Sequence, residues 1–142
     1  MSTRANIIVK DGYDKLFFYR HSDGYPEGVY DTITQFMQLV DSGRIRKNVP
    51  QASGWLIMLG AKEYGTSLET LMSNDKQHYD WKIGSYEPTT EIHGDIEFLY
   101  VIDIDSKREH AECYVLTNDF DSWEDRYLDC RTLEDSYGGI DG

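Results

Sequence analysis

The segment that most limits the possible fold is Asp95–Ile104 in the second half of the chain. Apolar residues recur there at every second position, which predicts a β-strand with one apolar face. That face consists of Ile96, Phe98, Tyr100, Ile102 and Ile104. Leu99 and Val101 make the middle of the other face apolar as well, which is typical of a strand covered on both sides. We therefore expect this strand to lie centrally in a sheet.

Two hairpins are predicted, one towards each end of the chain. Ala5–Lys10 and Lys15–Tyr19 are short apolar strands, and the Asp-Gly pair of Asp11–Asp14 between them is typical of a hairpin turn. Ala111–Leu116 follows a polar turn after the central strand and is predicted to return beside it.

The segments before the central strand are less regular. Asp80–Tyr86 alternates weakly and is predicted as a strand, and Glu87–Thr90 contains a proline and is predicted as a break. The acidic stretch 118–133, with Phe120, Trp123 and Tyr127, is expected to form a short helix or a loop over the core.

Two main helices are predicted between the hairpins. Val29–Ser42 has one apolar stripe at helical spacing, and Gly43 is a suitable stop. The stripe consists of Ile33, Phe36, Met37 and Val40. Asn48–Gly54 is predicted as a turn-rich connection that leads into a mostly buried helix, Ala52–Tyr64, for which a buried strand is the alternative. This helix has Leu56, Leu59 and Glu63 on one side and Trp55, Met58 and Lys62 on another. Thr66–Met72 is a candidate short helix.

This order of elements indicates an α+β fold with a largely antiparallel sheet. The length of 142 residues suits a single domain. We assign the domain to residues 1–133 and expect residues 134–142 to be a flexible acidic tail, because they are rich in glycine and in acidic side chains.

The net charge of −12 is distributed unevenly along the chain. Residues 1–90 hold 10 Lys and Arg against 11 Asp and Glu, a balance of −1, whereas residues 91–142 hold 4 against 15, a balance of −11. Direct binding of nucleic acid is disfavoured, since phosphate contacts need a basic surface. A basic protein partner, a cation or simple solubility remain open.

Several features favour a soluble cytoplasmic protein. No apolar run approaches the roughly 18 residues that a membrane span needs, and the start of the chain does not resemble a signal peptide. Cys113 and Cys130 lack the spacing of a metal or redox motif and are expected to be free thiols in a reducing compartment.

The segment Tyr19–Gly28, here called the signature loop, is the strongest candidate for a functional site. It joins the first hairpin to the first helix and contains Tyr19, His21, Asp23, Tyr25 and Glu27 as candidate ligand or partner residues. Pro26 fixes one backbone angle, and Gly24 and Gly28 can adopt positive φ. We therefore expect a shaped loop.

Two short segments pair a histidine with an acid, His21-Ser-Asp23 and His93-Gly-Asp95. If their strands were neighbours, His21, Asp23, His93 and Asp95 would form a site for a divalent metal such as Zn²⁺, or for general acid–base chemistry. The alternative is that the acids cap turns and the histidines form local hydrogen bonds. No other cofactor is indicated.

The C-terminal third supplies a second candidate surface. Its acidic residues are Asp119, Asp121, Glu124, Asp125 and Asp129. Carboxylates on a rigid element can imitate the phosphates of DNA and attract a basic nucleic-acid-binding protein. An ordinary solvated acidic surface is the alternative.

Two stretches resemble a group of small phage- and prophage-encoded proteins of unknown function. They are Ser2-Thr-Arg-Ala-Asn-Ile at the start and Tyr19-Arg-His-Ser-Asp-Gly-Tyr-Pro-Glu-Gly28. Ala52-Ser-Gly-Trp-Leu-Ile and Glu87-Pro-Thr-Thr-Glu-Ile-His-Gly-Asp-Ile-Glu are loosely similar to the same group. The resemblance implies no activity, but it implies that the protein acts in the cytoplasm of a bacterial host cell. Small accessory phage proteins often act on host machinery, including defence systems.

The sequence therefore leads to two hypotheses. The first is a non-enzymatic accessory protein that binds and inhibits a host protein, such as a defence or nucleic-acid-processing factor, through its acidic surface and signature loop. The second is a small enzyme or ligand-binding protein with a site at His21, Asp23, His93 and Asp95. A homodimer is compatible with either hypothesis.

Overall fold

The computed structural model describes residues 3–64, 69, 72, 85–105, 112–116 and 123–129. This part of the chain contains six strands: β1 (Ala5–Lys10), β2 (Lys15–Arg20), β3 (Glu87–Thr89), β4 (Phe98–Asp103), β5 (Glu112–Leu116) and β6 (Trp123–Asp129). They form one sheet in the order β3-β2-β1-β4-β5-β6. Every neighbouring pair is antiparallel except β1 and β4, which are parallel. With two helices, this confirms the predicted α+β fold.

The two hairpins and the central strand are also confirmed. β1 and β2 pair from Ala5 opposite Arg20 to Lys10 opposite Lys15. β4 lies between β1 and β5, with β5 as its antiparallel mate. The parallel pairing of β1 with β4 was not predicted, and it needs a long crossover, which both helices help to provide.

In the described part of the chain between β2 and β3, two helices are defined. Helix α1 (Pro26–Asp41) begins three residues earlier than predicted, because Pro26 occupies the first turn, where its missing N–H costs nothing. It ends before Gly43, which has a φ of 80°. Helix α2 (Val49–Ala61) also begins early, since the Asn48 side chain accepts a hydrogen bond from the Gln51 N–H as an N-cap.

The predicted connection over 48–54 is therefore wrong beyond the cap, because its residues from Val49 onwards are helical. After α2, Lys62–Tyr64 form a 3-10 turn that carries Glu63 towards the end of the sheet.

The main core lies between one face of the sheet and the two helices. The predicted α1 stripe is buried there, as are Leu56 and Leu59 of α2, whereas Trp55 and Met58 are exposed. The core includes Ile7, Val9, Phe18, Val29, Ile33, Phe36, Met37, Leu56, Tyr100 and Ile102. A smaller cluster on the opposite face consists of Ile8, Tyr19, Ile96 and Leu99.

Three predictions about single elements are wrong. Ile96 packs on the face opposite Tyr100 because β4 begins only at Phe98, so the alternation does not extend back to it. Glu87–Thr89, predicted as a break, is the edge strand β3, where Pro88 is tolerated. Residues 123–129, predicted as a helix or loop, form β6.

Other predictions fall largely outside the described residues. Of the predicted strand Asp80–Tyr86, only Ser85 and Tyr86 are described, and they form a bend. The tail 134–142 lies outside the described residues. So does the candidate helix Thr66–Met72, except for residues 69 and 72. In the described ranges, no helix is long and apolar enough to cross a membrane.

The strand register places several chain segments at one end of the sheet. Arg20, the last residue of β2, lies opposite Ala5, and Ala5 is paired with Phe98 at the start of β4. Phe98 is paired with Val115 near the end of β5, and Leu116 with Trp123 at the start of β6. We call this end the signature end, because the signature loop leaves the sheet there. The opposite end, with the β1–β2 turn, is the hairpin end.

Candidate binding site at the signature end

The signature loop is folded around the side chain of Arg20. The Arg20 Nε–H group donates to the carbonyl oxygens of Ser22 and Asp23, at 2.8 and 3.1 Å, and Nη2 donates to the carbonyl of Gly28 at 3.5 Å. Only 2% of Arg20 is exposed. The buried guanidinium of Arg20 thus holds the backbone of the loop in place.

Close backbone contacts fix the loop further. The Gly24 N–H donates to the Thr3 carbonyl at 2.9 Å, and a Cβ on Gly24 would lie 2.8 Å from the Cβ of Ala5. A Cβ on Gly28 would overlap the carbonyl of Asp23. The positive φ in this loop belongs to Asp23, at 56°, whereas Gly24 and Gly28 are needed for the close approach of backbone segments.

Arg20 also forms a buried ion pair with Glu63. Its Nη2 lies 2.5 Å from Glu63 Oε1, while Oε2 accepts hydrogen bonds from the Thr32 hydroxyl at 2.6 Å and the Tyr86 hydroxyl at 3.0 Å. The Arg20 guanidinium lies 5.1 Å from the centre of the Tyr86 ring. Burial raises the pKa of Tyr86, so it remains a neutral donor. This network joins β2, α1 and the turn after α2.

A pocket of about 300 Å³ opens above this network. Its lining residues are Arg20, Asp23, Tyr25, Gly28, Asp31, Thr32 and Glu63. Among the described lining residues, three carboxylates (Asp23, Asp31 and Glu63) face one guanidinium, so their formal charges sum to a negative value. The Tyr25 hydroxyl donates to Asp23 Oδ1 at 3.3 Å, and 36% of Tyr25 is exposed.

The other face of β2 carries a separate aromatic cluster centred on Tyr19. The His93 ring stacks on the Tyr19 ring with 3.9 Å between centroids, and His21 approaches edge-on at 4.5 Å. The Tyr19 hydroxyl donates to the Asp95 carboxylate, at 3.0 and 2.8 Å to its two oxygens. Burial, followed by this bond to Asp95, raises the pKa of Tyr19 to about 12.

The histidines of this cluster have separate partners. His21 Nε2 lies 2.6 Å from Glu87 Oε2, and His93 Nε2 lies 2.9 Å from the hydroxyl of Thr89. The His93 N–H donates at 2.8 Å to the side chain of Asn6, which is fully buried. These bonds hold the segment 90–97 against the outer face of the sheet.

The structure thus brings together three of the four predicted metal ligands, but only as neighbours of one tyrosine. His21, His93 and Asp95 all contact Tyr19, whereas Asp23 lines the pocket. Within the described ranges, no group of three or more His, Cys, Asp or Glu side chains is arranged to hold a metal ion.

The remaining candidates lie on α1 and on β6, of which only the start is at the signature end. Glu27 is exposed in the first turn of α1. Glu124, Asp125 and Asp129 belong to the edge strand β6. The two predicted residues between β5 and β6, Asp119 and Asp121, lie outside the described part of the chain.

Sequence reasoning missed Arg20, Asp31 and Glu63 as parts of the site. One signal was available: Glu63 falls on the same helical side as Leu56 and Leu59, and an acid on a buried side needs a charged or hydrogen-bonding partner. Arg20, the last residue of β2, supplies that partner.

Comparison of the chain with protein-family models, with curated protein sequences and with solved structures finds no match.

Proposed function

We propose that this chain is a non-enzymatic phage or prophage accessory protein that binds a basic host protein through the signature end of its sheet. Inhibition of a defence or nucleic-acid-processing factor is the consequence that suits this binding. The observation that carries the proposal is a preorganised loop that, together with the first two turns of α1, presents the carboxylates of Asp23, Glu27 and Asp31.

Preorganisation supports a recognition role because ordering a loop on binding costs free energy. Arg20 and the close contacts of Gly24 and Gly28 already hold the loop in one conformation. A buried ion pair is seldom needed for stability alone, since apolar residues of similar volume often serve equally well. A network that fixes a loop is consistent with selection for the loop's shape.

The strand order supports one binding surface for the loop and the C-terminal acidic strand. Both the end of β2 and the start of β6 lie at the signature end. Four interstrand steps of about 4.8 Å separate them, about 19 Å in total. An interface of standard size buries about 800 Å² on each partner, so its width of roughly 30 Å reaches across both.

Charge determines the kind of partner that suits this end. The net charge of −12 would repel nucleic acid, and exposed carboxylates attract Lys and Arg. A basic, nucleic-acid-binding protein therefore suits the proposal better than nucleic acid itself.

The alternative function, a ligand or metal site at His21, Asp23, His93 and Asp95, has weaker support. The ring nitrogens of His21 and His93 are hydrogen-bonded to Glu87 and Thr89, so a metal would have to displace both partners. Asp23 participates in the pocket network on the other face of β2.

The test is affinity capture from bacterial lysate with washes at low and high salt. A double variant, Glu27→Gln with Asp31→Asn, removes two charges at the signature end. The control, Asp14→Asn with Asp105→Asn, removes two exposed charges at the hairpin end. We expect a stoichiometric basic partner that is released at high salt, lost in the first variant and retained in the control.

Equal capture by both variants would contradict the proposal. The metal content of the purified protein, measured in parallel, tests the alternative: a near-equimolar transition metal without a partner would favour the His and Asp site. Light scattering of the same sample reports whether the chain forms a homodimer.

A further inference from the structure

We infer that the pocket beneath the signature loop receives an arginine side chain of the partner protein. This inference rests on the proposed function, because it specifies which group of a basic partner is bound. It combines a cavity of suitable size, a negative lining and an exposed aromatic ring at one place in the fold.

The size of the pocket limits its ligand. At about 300 Å³ it lies at the lower end of the range for small-molecule sites. It is small for a nucleotide or a large cofactor, and it has room for one long side chain with its hydration water. An entering side chain would also leave the partner's backbone outside, in contact with the rim.

The electrostatics of the lining favour a cation. Among the described lining residues Arg20 alone is cationic, and its contact with Glu63 at 2.5 Å offsets its charge. The carboxylates of Glu63, Asp23 and Asp31 thus line the pocket against a single guanidinium, and the Asp31 side chain lies on an exposed part of α1. An anionic ligand would meet these carboxylates and is disfavoured.

The chemistry of the lining favours guanidinium over ammonium. Carboxylates suit a planar group with several N–H donors, which can form two parallel hydrogen bonds to one carboxylate. The ring of Tyr25 adds an aromatic surface on which a guanidinium can stack. The Thr32 hydroxyl, already bonded to Glu63, forms part of the floor.

The first experiment titrates the full ¹⁵N-labelled chain with N-acetyl-arginine amide, followed by amide NMR. N-acetyl-citrulline amide, which has nearly the same shape but no charge, is the matched control probe. We expect arginine to shift the amide signals of Gly24, Gly28 and Thr32 to saturation, and citrulline to bind at least about tenfold more weakly. Equal responses to the two probes, or no saturable response to arginine, would overturn the inference.

Two variants test the assigned carboxylates. Asp31→Asn should weaken arginine binding about fivefold, whereas Asp14→Asn at the hairpin end should leave it unchanged. Asp23→Asn should also weaken binding, and asparagine tolerates the positive φ of this position. If Asp23→Asn does not fold, Asp31→Asn still decides; unchanged affinity in Asp31→Asn would overturn the assignment.

A second pair of probes distinguishes the source of the guanidinium. The peptide Gly-Gly-Arg-Gly-Gly represents a partner side chain, and agmatine represents a free small molecule. Binding of the peptide at least as tightly as agmatine supports a protein partner, and agmatine binding tenfold tighter would overturn it.

The outcome is separable from that of the capture experiment. If the signature-end variant loses a basic partner but arginine does not bind the pocket, the proposed function stands and this inference fails. If arginine binds but no salt-sensitive partner is captured, the pocket assignment stands and the proposed function fails.

Discussion

Tyr19 and Arg20 are neighbours in β2 but belong to two polar networks on opposite faces of the sheet. The inner network is largely inaccessible to solvent, with side-chain exposures of 2% for Arg20 and 16% for Glu63. The outer network is half solvated: Arg4 and Asp95 are 45% and 49% exposed, and His21 and Glu87 are 62% and 53% exposed. Since solvent screens ion pairs, we expect the inner network to support stability and the outer one to contribute little.

The largest effect is expected from Glu63→Ala. This change leaves the Arg20 charge buried without its carboxylate and removes the acceptor of the Thr32 and Tyr86 hydroxyls. The free energy of unfolding should fall by about 3–5 kcal/mol, measured by urea denaturation. Glu97→Ala, at an exposed position, is the control. A loss in Glu63→Ala no larger than that of the control would remove the inner network from this account.

Gly28→Ala should have the next largest effect. Its Cβ would overlap the Asp23 carbonyl, so the loop must shift, at a cost of about 1–3 kcal/mol. Gly54→Ala is the matched control, because its Cβ meets nothing within 4 Å and alanine favours the helix. Thermal unfolding should therefore show a lower melting temperature for Gly28→Ala and a higher one for Gly54→Ala. Changes of the same sign would contradict the close approach at Gly28.

Tyr19→Phe removes the hydroxyl that donates to Asp95. The expected loss of stability at neutral pH is about 0.5–1.5 kcal/mol. Because the folded-state pKa of Tyr19 is raised to about 12 from an ordinary 10, its contribution is complete below pH 10 and is lost as the pH rises from 10 to 12. Unfolding measured across that window should show a shallower decline for Tyr19→Phe than for the unchanged chain, and identical slopes would contradict it.

The smallest effect is expected from His21→Ala. Its contact with Glu87 is mostly solvent-exposed, so the loss of stability should be at most about 1 kcal/mol. The same variant tests the metal hypothesis, which requires that bound metal disappear while the fold persists. Unfolding of the chain by this single change would instead place His21 among the structural residues.

The elements that the sequence predicts well are those whose local patterns agree with their packing. The α1 stripe and the first hairpin have periodicities that need no knowledge of distant residues. β3 and β6 were missed because an edge strand is defined by its partner: Pro88 and the charges of Trp123–Asp129 argue locally against a strand. Pairing with β2 and β5 overrides that local preference.

The candidate site divides in the same way. The signature loop can be recognised from its glycines, its proline and its clustered polar residues. The contacts that hold the loop cannot be recognised in this way. Arg20 pairs with Glu63, which lies 43 positions further along the sequence, and no local pattern predicts that pairing. The same holds for Asp23, which shares a short motif with His21 but lines the pocket on the other face.

The central claim is that carboxylates at the signature end and along β6 attract a basic partner. The most direct test measures the association rate of the captured partner as a function of salt. The unchanged chain is compared with two variants: Glu27→Gln with Asp31→Asn, and Glu124→Gln with Asp125→Asn and Asp129→Asn. Both variants should associate with the partner more slowly, and their association rates should depend less steeply on salt concentration, because opposite charges accelerate the encounter of the two proteins. Association rates and salt dependence equal to those of the unchanged chain in both variants would contradict the claim.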